Sequence, residues 1–144
     1  MILFNNFTSI NLKIYKLRNW IDINKLNFNT LSANPNSIDF LENNPNKICW
    51  KLLSQNLNAI HILHKNFNKI CWEWLPLNSN GTYLLEKNYR EIDWDLLSSN
   101  CNALYLLEKN LTKINCNRLS INSNALHILE QNLEKINWNY LSEN

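Results

Sequence analysis

The register of an internal repeat constrains this chain more than any other feature. Residues 25–144 divide without a gap into 22-residue units: 25–46, 47–68, 69–90, 91–112 and 113–134, with a partial unit at 135–144. We number the positions within a unit from 1 to 22. Position 7 is Leu in all six units, and position 17 is Leu in all five complete ones. Such a fixed period is the signature of repeat architectures, in which each unit buries its apolar face against its neighbours.

Helical spacing relates the apolar positions within a unit. An aromatic residue stands at position 4 in all units except one, three residues before the Leu at position 7, and a second apolar stripe covers positions 13, 14, 16 and 17. This spacing indicates helices rather than alternating strands. We therefore predict a helix A over positions 4–9 and a helix B over positions 13–19. The sequence thus predicts an all-α solenoid of stacked short helix pairs.

Asparagine accounts for 30 of the 144 residues, and positions 10, 12 and 20 are Asn in every complete unit. Position 3, which is Asn27 in the first unit, is expected to cap helix A, and position 12 is expected to cap helix B. An alternative start for helix B is the position 10 residue Asn34, with Pro35 as the first helical residue. Because Gly81 is the only glycine, the Asn residues at positions 10 and 20 are expected to end the helices in a left-handed conformation.

Residues 1–24 lack the repeat and are predicted to be an N-terminal capping segment, with an amphipathic helix over residues 15–21. Ankyrin, tetratricopeptide and HEAT repeats are too long for a 22-residue period. Leucine-rich repeats fit that length, and Ile92-Asp93-Trp94 is compatible with their strand. Their Asn, however, follows three residues after the last apolar residue of the strand, where this chain has Leu97. The helical solenoid is therefore the favoured interpretation.

The phrase WDLLSSNCNALYLLEKN, at residues 94–110, resembles a known repeat. It is similar to the Asn-rich W-x-x-L-S-x-N-P-N-A-I-x-L-L-E-K-N repeats of giant DNA viruses of the mimivirus kind, and the resemblance covers about residues 15–144. It implies a viral protein in the host cytoplasm or the virion, and it brings no known activity or catalytic residue. This chain departs from the pattern: the family's proline at position 11 survives only as Pro35, Pro76 stands at position 8, and Cys116 replaces Trp.

Composition argues against several functional classes. The formal net charge is only +2, and Glu91 interrupts the Lys column at position 1, so a nucleic-acid partner is not expected. No window is apolar enough to span a bilayer, so no membrane association is expected. Four cysteines without paired spacing (Cys49, Cys71, Cys101 and Cys116) are typical of reduced thiols in an intracellular protein.

Catalytic and metal sites are not expected either. His61 and His64 lie near Cys49 and Cys71 in the repeat, but stacked units place these cysteines about 10 Å apart, too far to share a zinc ion. A single glycine rules out a Gly-rich phosphate loop. We therefore expect no cofactor, no metal and no enzymatic activity.

Two surfaces are candidates for binding a protein partner. Position 6 of helix A, together with Leu77 at position 9, predicts an exposed apolar patch, unless a neighbouring unit buries it; its residues are Leu52, Trp74, Leu77 and Leu96. Position 15 of helix B provides the second candidate surface, formed by His61, Tyr83, Tyr105 and His127.

The sequence therefore predicts a non-enzymatic helical-repeat scaffold that binds a protein whose identity is unknown. The alternatives are a structural component that self-assembles, for example as a homodimer through the C-terminal residues 126–144, or a fragment of a longer repeat array.

Overall fold

The computed structural model describes residues 4–9 and 12–142. It begins with an antiparallel hairpin, in which β1 (Phe4–Ser9) pairs with β2 (Leu12–Leu17) and Phe4 lies opposite Leu17. The prediction of an amphipathic helix over residues 15–21 is therefore wrong. A helix of seven residues is marginal by itself, whereas β1 gives the backbone of β2 hydrogen-bond partners along one edge.

All regular elements described after the hairpin are helical, which confirms the predicted helical class for this part of the chain. The α-helices are α1 (Phe28–Ala33), α2 (Ile38–Glu42), α3 (Trp50–Ser54), α4 (Ile60–Lys65), α5 (Thr82–Lys87), α6 (Trp94–Ser98), α7 (Leu104–Glu108), α8 (Cys116–Leu119), α9 (Leu126–Glu130) and α10 (Trp138–Leu141). Single 3-10 turns lie between them, at Ile23–Lys25, Pro35–Ser37, Pro45–Lys47, Phe67–Lys69, Leu75–Leu77, Tyr89–Glu91, Leu111–Lys113 and Leu133–Lys135. Strand β2 lies beside α2.

Helix A begins at position 4, as predicted, in every unit except the third. The predicted caps at position 3 are also present: Asn27 accepts from the backbone N–H groups of Asn29 and Thr30, and Asp93 accepts from that of Leu96. In the third unit a 3-10 turn at Leu75–Leu77 replaces the helix. Proline at position 8 has no N–H to donate to the preceding turn, which accounts for this difference.

Helix B begins at position 14, one residue later than predicted, and Asn at position 12 does not cap it. Asn at position 10 instead caps the turn that leads into helix B. Asn56 Oδ1, for example, accepts from the backbone N–H of Asn58 at 3.1 Å. In the first unit Asn34 accepts from the N–H of Asn36, and Pro35 opens the 3-10 turn. The structure therefore agrees better with the alternative, in which Asn at position 10 caps the start, than with a cap at position 12.

In the described part of the chain, the asparagines that directly follow a helical element at Asn34, Asn66, Asn78 and Asn88 do not adopt the expected left-handed conformation. Asn78 at position 10 has φ −86°, and Asn88 at position 20 has φ −136°. In four units the side-chain amide at position 20 donates to the carbonyl at position 16, as Asn66 does to Ile62 at 2.9 Å. Because the Asn side chain donates to a free carbonyl near the end of helix B, no left-handed residue is needed to provide that carbonyl with a hydrogen bond.

The core follows the two leucine columns. Position 7 is at most 4% exposed in the five complete units, and position 17 is at most 2% exposed. The small residue at position 13 is buried between them. At Gly81, a Cβ atom would lie only 2.9 Å from Leu75 Cδ1, so this unit packs more tightly at position 13 than those that carry Ala.

Asparagine at position 10 connects each unit to the one before it. Asn78 is fully buried, and its Nδ2 donates to the carbonyl oxygens of Ser54 at 3.1 Å and Asn56 at 2.7 Å. Asn100 and Asn122 make the same pair of bonds to residues 24 and 22 positions earlier. Each of these amides therefore gives the carbonyl 24 positions earlier a hydrogen-bond partner in the interior. The same amide is a second donor to the carbonyl 22 positions earlier, which also accepts from a backbone N–H of its own unit.

Two further side chains repeat this connection. Asn at position 12 donates to the position 11 carbonyl of the preceding unit, as Asn80 does to Leu57 at 3.0 Å. Serine at position 8 accepts from the backbone N–H at position 3 of the next unit, as Ser54 does from Cys71 at 2.9 Å. Positions 8, 10 and 12 thus carry the side-chain-to-backbone hydrogen bonds between successive units.

Candidate functional site

The predicted patch at positions 6 and 9 is only partly exposed. Leu52, Trp74, Leu77 and Leu96 are all half-buried. The ammonium group of Lys51 lies 4.4 Å from the centre of the Trp74 ring. Among the described residues, the buried Nε1 atom of Trp74 has no hydrogen-bond partner. Trp74 is therefore more deeply packed than an exposed binding anchor would be.

Histidines at position 15 pair with acidic residues of the preceding unit. His61 Nε2 lies 3.0 Å from Glu42 Oε1, and His127 Nε2 lies 2.8 Å from Glu108 Oε1. In both pairs the acid occupies position 18. Since both partners are exposed, each pair contributes about 1 kcal/mol or less to stability.

Tyrosines at position 15 make the same kind of contact. The Tyr83 ring lies 6.2 Å from that of His64, and Tyr105 forms a hydrogen bond with Glu86. Partial burial raises the pKa of Tyr105, and the hydrogen bond to Glu86 and its negative charge raise it further. The position 15 surface is thus a column of contacts between units, and it leaves the face of Tyr83 38% exposed.

A different apolar surface, at position 21, is the most exposed feature that recurs along the array. We call it the position 21 ridge, and it consists of Phe67, Tyr89, Leu111 and Leu133, which are 41%, 39%, 51% and 58% exposed. All four begin the 3-10 turns that lead from one unit to the next. This ridge was not among the predicted surfaces, although a large apolar or aromatic residue at position 21 in four of five units was a signal for it.

Aromatic rings of the ridge pack against the Trp at position 4 of the next unit. The ring centres of Phe67 and Trp72 are 4.8 Å apart at 65°, and those of Tyr89 and Trp94 are 5.2 Å apart at 68°. These edge-to-face contacts are favourable for aromatic pairs. Phe67 and Tyr89 of the ridge therefore each pack one part of the ring against a Trp and expose the rest to solvent.

Lysines at position 1 lie over the aromatic residues at position 4 of the preceding unit. The Nζ atom of Lys69 is 4.9 Å from the centre of the Trp50 ring, and that of Lys113 is 4.6 Å from Trp94. A cation in this place is attracted by the ring face. The lysine column therefore has a role in packing along the array.

The segment predicted for homodimerisation, residues 126–144, is described as far as residue 142. Leu126 is 51% exposed, Trp138 66% and Tyr140 41%. These are among the largest apolar exposures on the described part of the chain.

The cysteines are free thiols, and no group of three or more potential metal ligands occurs within residues 4–9 and 12–142. None of the helices described there is long and apolar enough to cross a membrane. Comparisons of the chain with protein-family models, curated proteins and solved structures gave no significant match.

Proposed function

We propose that this chain is a helical solenoid that acts as a non-enzymatic scaffold for protein–protein interaction. This proposal is supported by hydrogen bonds between successive units. The bonds recur from unit to unit, and they are made by the same residue types at the same repeat positions. An array of this kind presents the same surface position at regular intervals, and solenoids use such surfaces to bind extended partners.

The observation that carries the proposal is the position 21 ridge. Large apolar side chains that recur at one exposed position of successive units favour an interaction site, because exposed apolar patches mark such sites. Phe67 and Tyr89 are held by their Trp neighbours, so little side-chain entropy is lost on binding. Aromatic side chains are also enriched among the residues that dominate binding energy.

Neighbouring residues of the ridge provide a matched test. A double variant, Phe67→Glu with Leu111→Glu, places two charges on the ridge. The control, Asn68→Glu with Thr112→Glu, places the same two charges on exposed residues one position further along the chain. Proteins bound by the wild-type chain are captured from lysate of the cells that express it and identified by mass spectrometry.

We expect the control to retain the partners of the wild-type chain and the ridge variant to lose them. Retention of the same partners by both variants contradicts a ridge-mediated interaction. Far-UV circular dichroism establishes that both variants keep the wild-type helix content.

A second candidate function is self-association through residues 126–144, which the exposure of Trp138 and Tyr140 favours. Contact between two identical surfaces is self-complementary and gives a closed dimer. Replacing Trp138 with Glu and Tyr140 with Lys should abolish concentration-dependent mass in light scattering. A wild-type monomer at high micromolar concentration contradicts this candidate.

A further inference from the structure

A cavity of about 170 Å³ lies between the first and second units, next to the indole of Trp50. Its apolar wall is formed by Pro45, Ile48, Trp50 and Ile62, and Glu42 and Lys65 provide charged groups. The cavity opens to the surface beside the 3-10 turn Pro45–Lys47. It is thus a recess that combines apolar side chains with charged and amide groups, as small binding sites do.

The repeat shows what this recess lacks. Two repeat lengths later, the equivalent positions hold Glu86, Ile92, Trp94, Leu106 and Lys109, which match the lining of the cavity except for Leu in place of Ile62. Asn66 of the lining also has an Asn equivalent, Asn110, and the last equivalent is Tyr89, which stands where the first unit has Pro45. The Tyr89 ring packs edge-to-face on Trp94 at 5.2 Å. Proline is too small to reach Trp50 in the same way.

A lysine completes the resemblance between the two places. Lys113 Nζ lies 5.2 Å from the Tyr89 ring and 4.6 Å from the Trp94 ring, so that one ammonium group faces both. At the cavity the equivalent residue is Lys69, whose Nζ lies 4.9 Å from the Trp50 ring. A ring that enters beside Trp50 therefore packs against a Trp that carries a lysine over its ring, as Tyr89 does at Trp94.

The volume suits a single ring. Apolar cavities of roughly 150 Å³ in proteins bind benzene. We propose that this cavity binds one aromatic side chain, a tyrosine or phenylalanine of a partner protein, in the place that Tyr89 takes beside Trp94. This proposal rests on the proposed function as a protein-binding scaffold. A partner's backbone can present the ring as the chain itself does, because Tyr89 enters its place from a surface turn.

The test titrates the full chain with N-acetyl-tyrosine methylamide and follows the indole N–H signal of Trp50 by NMR. N-acetyl-leucine methylamide is the matched apolar control, and p-cresol presents the same ring without a backbone. The Pro45→Tyr variant fills the recess with the side chain that the equivalent turn already carries, so it is expected to fold. Conversely, Tyr89→Ala empties the equivalent place beside Trp94.

We expect saturable shifts of the Trp50 signal with the capped tyrosine, binding of the leucine compound at least tenfold weaker, and at least tenfold weaker tyrosine binding by Pro45→Tyr. Tyr89→Ala should add a second saturable shift, at Trp94. Equal titrations of the wild type and Pro45→Tyr, or no saturable shift in the wild type, would overturn the proposal. Binding of p-cresol without binding of the capped tyrosine would overturn a polypeptide as the source of the ring.

The titration tests the aromatic recess and the capture experiment tests the ridge, so failure of one proposal can be distinguished from failure of the other. Pro45 occupies position 21 of its unit, but neither it nor Trp50 is among the four residues that define the ridge. An unchanged capture result alongside a negative titration therefore rejects the aromatic recess alone. A positive titration with no difference in capture between the ridge variant and its control rejects the ridge alone.

Discussion

Replacing Asn78 with Ala tests the polar contact between units at its most buried point. The change removes two bonds from Nδ2, to the carbonyls of Ser54 and Asn56, and one bond that Oδ1 accepts from the backbone N–H of Asn80. At about 1 kcal/mol for each hydrogen bond, the loss is about 3 kcal/mol. The carbonyl of Asn56 still accepts from the backbone N–H of Ala59 at 3.1 Å, but the carbonyl of Ser54 loses the bond from Asn78, and this raises the expected loss to about 4 kcal/mol if water does not reach it.

Asn80→Ala is the matched control. The amide of Asn80 makes a single bond to the preceding unit, to the carbonyl of Leu57, in an exposed place. Water can replace that bond, so the expected loss is about 1 kcal/mol or less. Both variants replace Asn with Ala, and the two positions differ in burial and in the number of hydrogen bonds that the side chain makes.

Urea unfolding followed by circular dichroism and tryptophan fluorescence gives the free energy of unfolding by linear extrapolation. Coincident transitions from the two probes are required, because repeat arrays do not always unfold in one step. A loss for Asn78→Ala that does not exceed the loss for Asn80→Ala would refute the structural role of the buried amide.

Three further predictions concern Ser54, Trp74 and Tyr105. Ser54→Ala removes a buried hydroxyl that bonds on both sides, so it should lower the free energy of unfolding by about 2 kcal/mol, against about 0.5 kcal/mol for Ser99→Ala, whose hydroxyl bonds only within its own helix turn. Trp74→Ala should cost about 2 kcal/mol in the same assay, roughly half the loss for a fully buried Trp; a neutral result would restore this side chain as an exposed binding anchor. Because the pKa of Tyr105 is raised above 10.0 in the folded chain, the stability it contributes is present below that pH and is lost as the pH rises through the folded pKa. Tyr105→Phe should therefore unfold with a shallower loss of stability above pH 10, and identical profiles would contradict the assigned environment.

The helical elements were predictable because the apolar period is strong. Trp50, Trp94 and Trp138 begin helices where the sequence placed them, and the Leu columns are buried as their spacing indicated. Pro76 was visible as a departure from the pattern, and the structure shows its effect in the replacement of a helix by a 3-10 turn.

The role of asparagine was predicted only in part. The caps at position 3 depend on the backbone within a few residues, and local rules describe such contacts well. The amide of Asn78 instead bonds to residues 22 and 24 positions away. No local propensity indicates a partner at that distance, so a periodic Asn was interpreted as a helix end. The hairpin was missed for a related reason, since β2 depends on pairing with β1 and not on its own sequence.

The candidate surfaces show the same limit. Position 6 of helix A was expected to face outward from its helical angle, but the apolar side chains of the predicted patch are only partly exposed there, and at Trp74 a lysine of the preceding unit, Lys51, lies over the ring. Position 21 was overlooked because it lies in a turn rather than on a helix face. Exposure in an array depends on how the units stack, and the sequence period specifies that units recur without specifying the angle between them.

Scalar couplings across hydrogen bonds, measured by NMR on the labelled chain, test the central claim most directly. The side-chain nitrogen of Asn78 should couple to the carbonyl carbons of Ser54 and Asn56, and the nitrogens of Asn100 and Asn122 should couple to carbonyls 24 and 22 residues earlier. Couplings confined to carbonyls within four residues would mean that these amides only cap their own helices, and would contradict a chain held together unit to unit by buried asparagine.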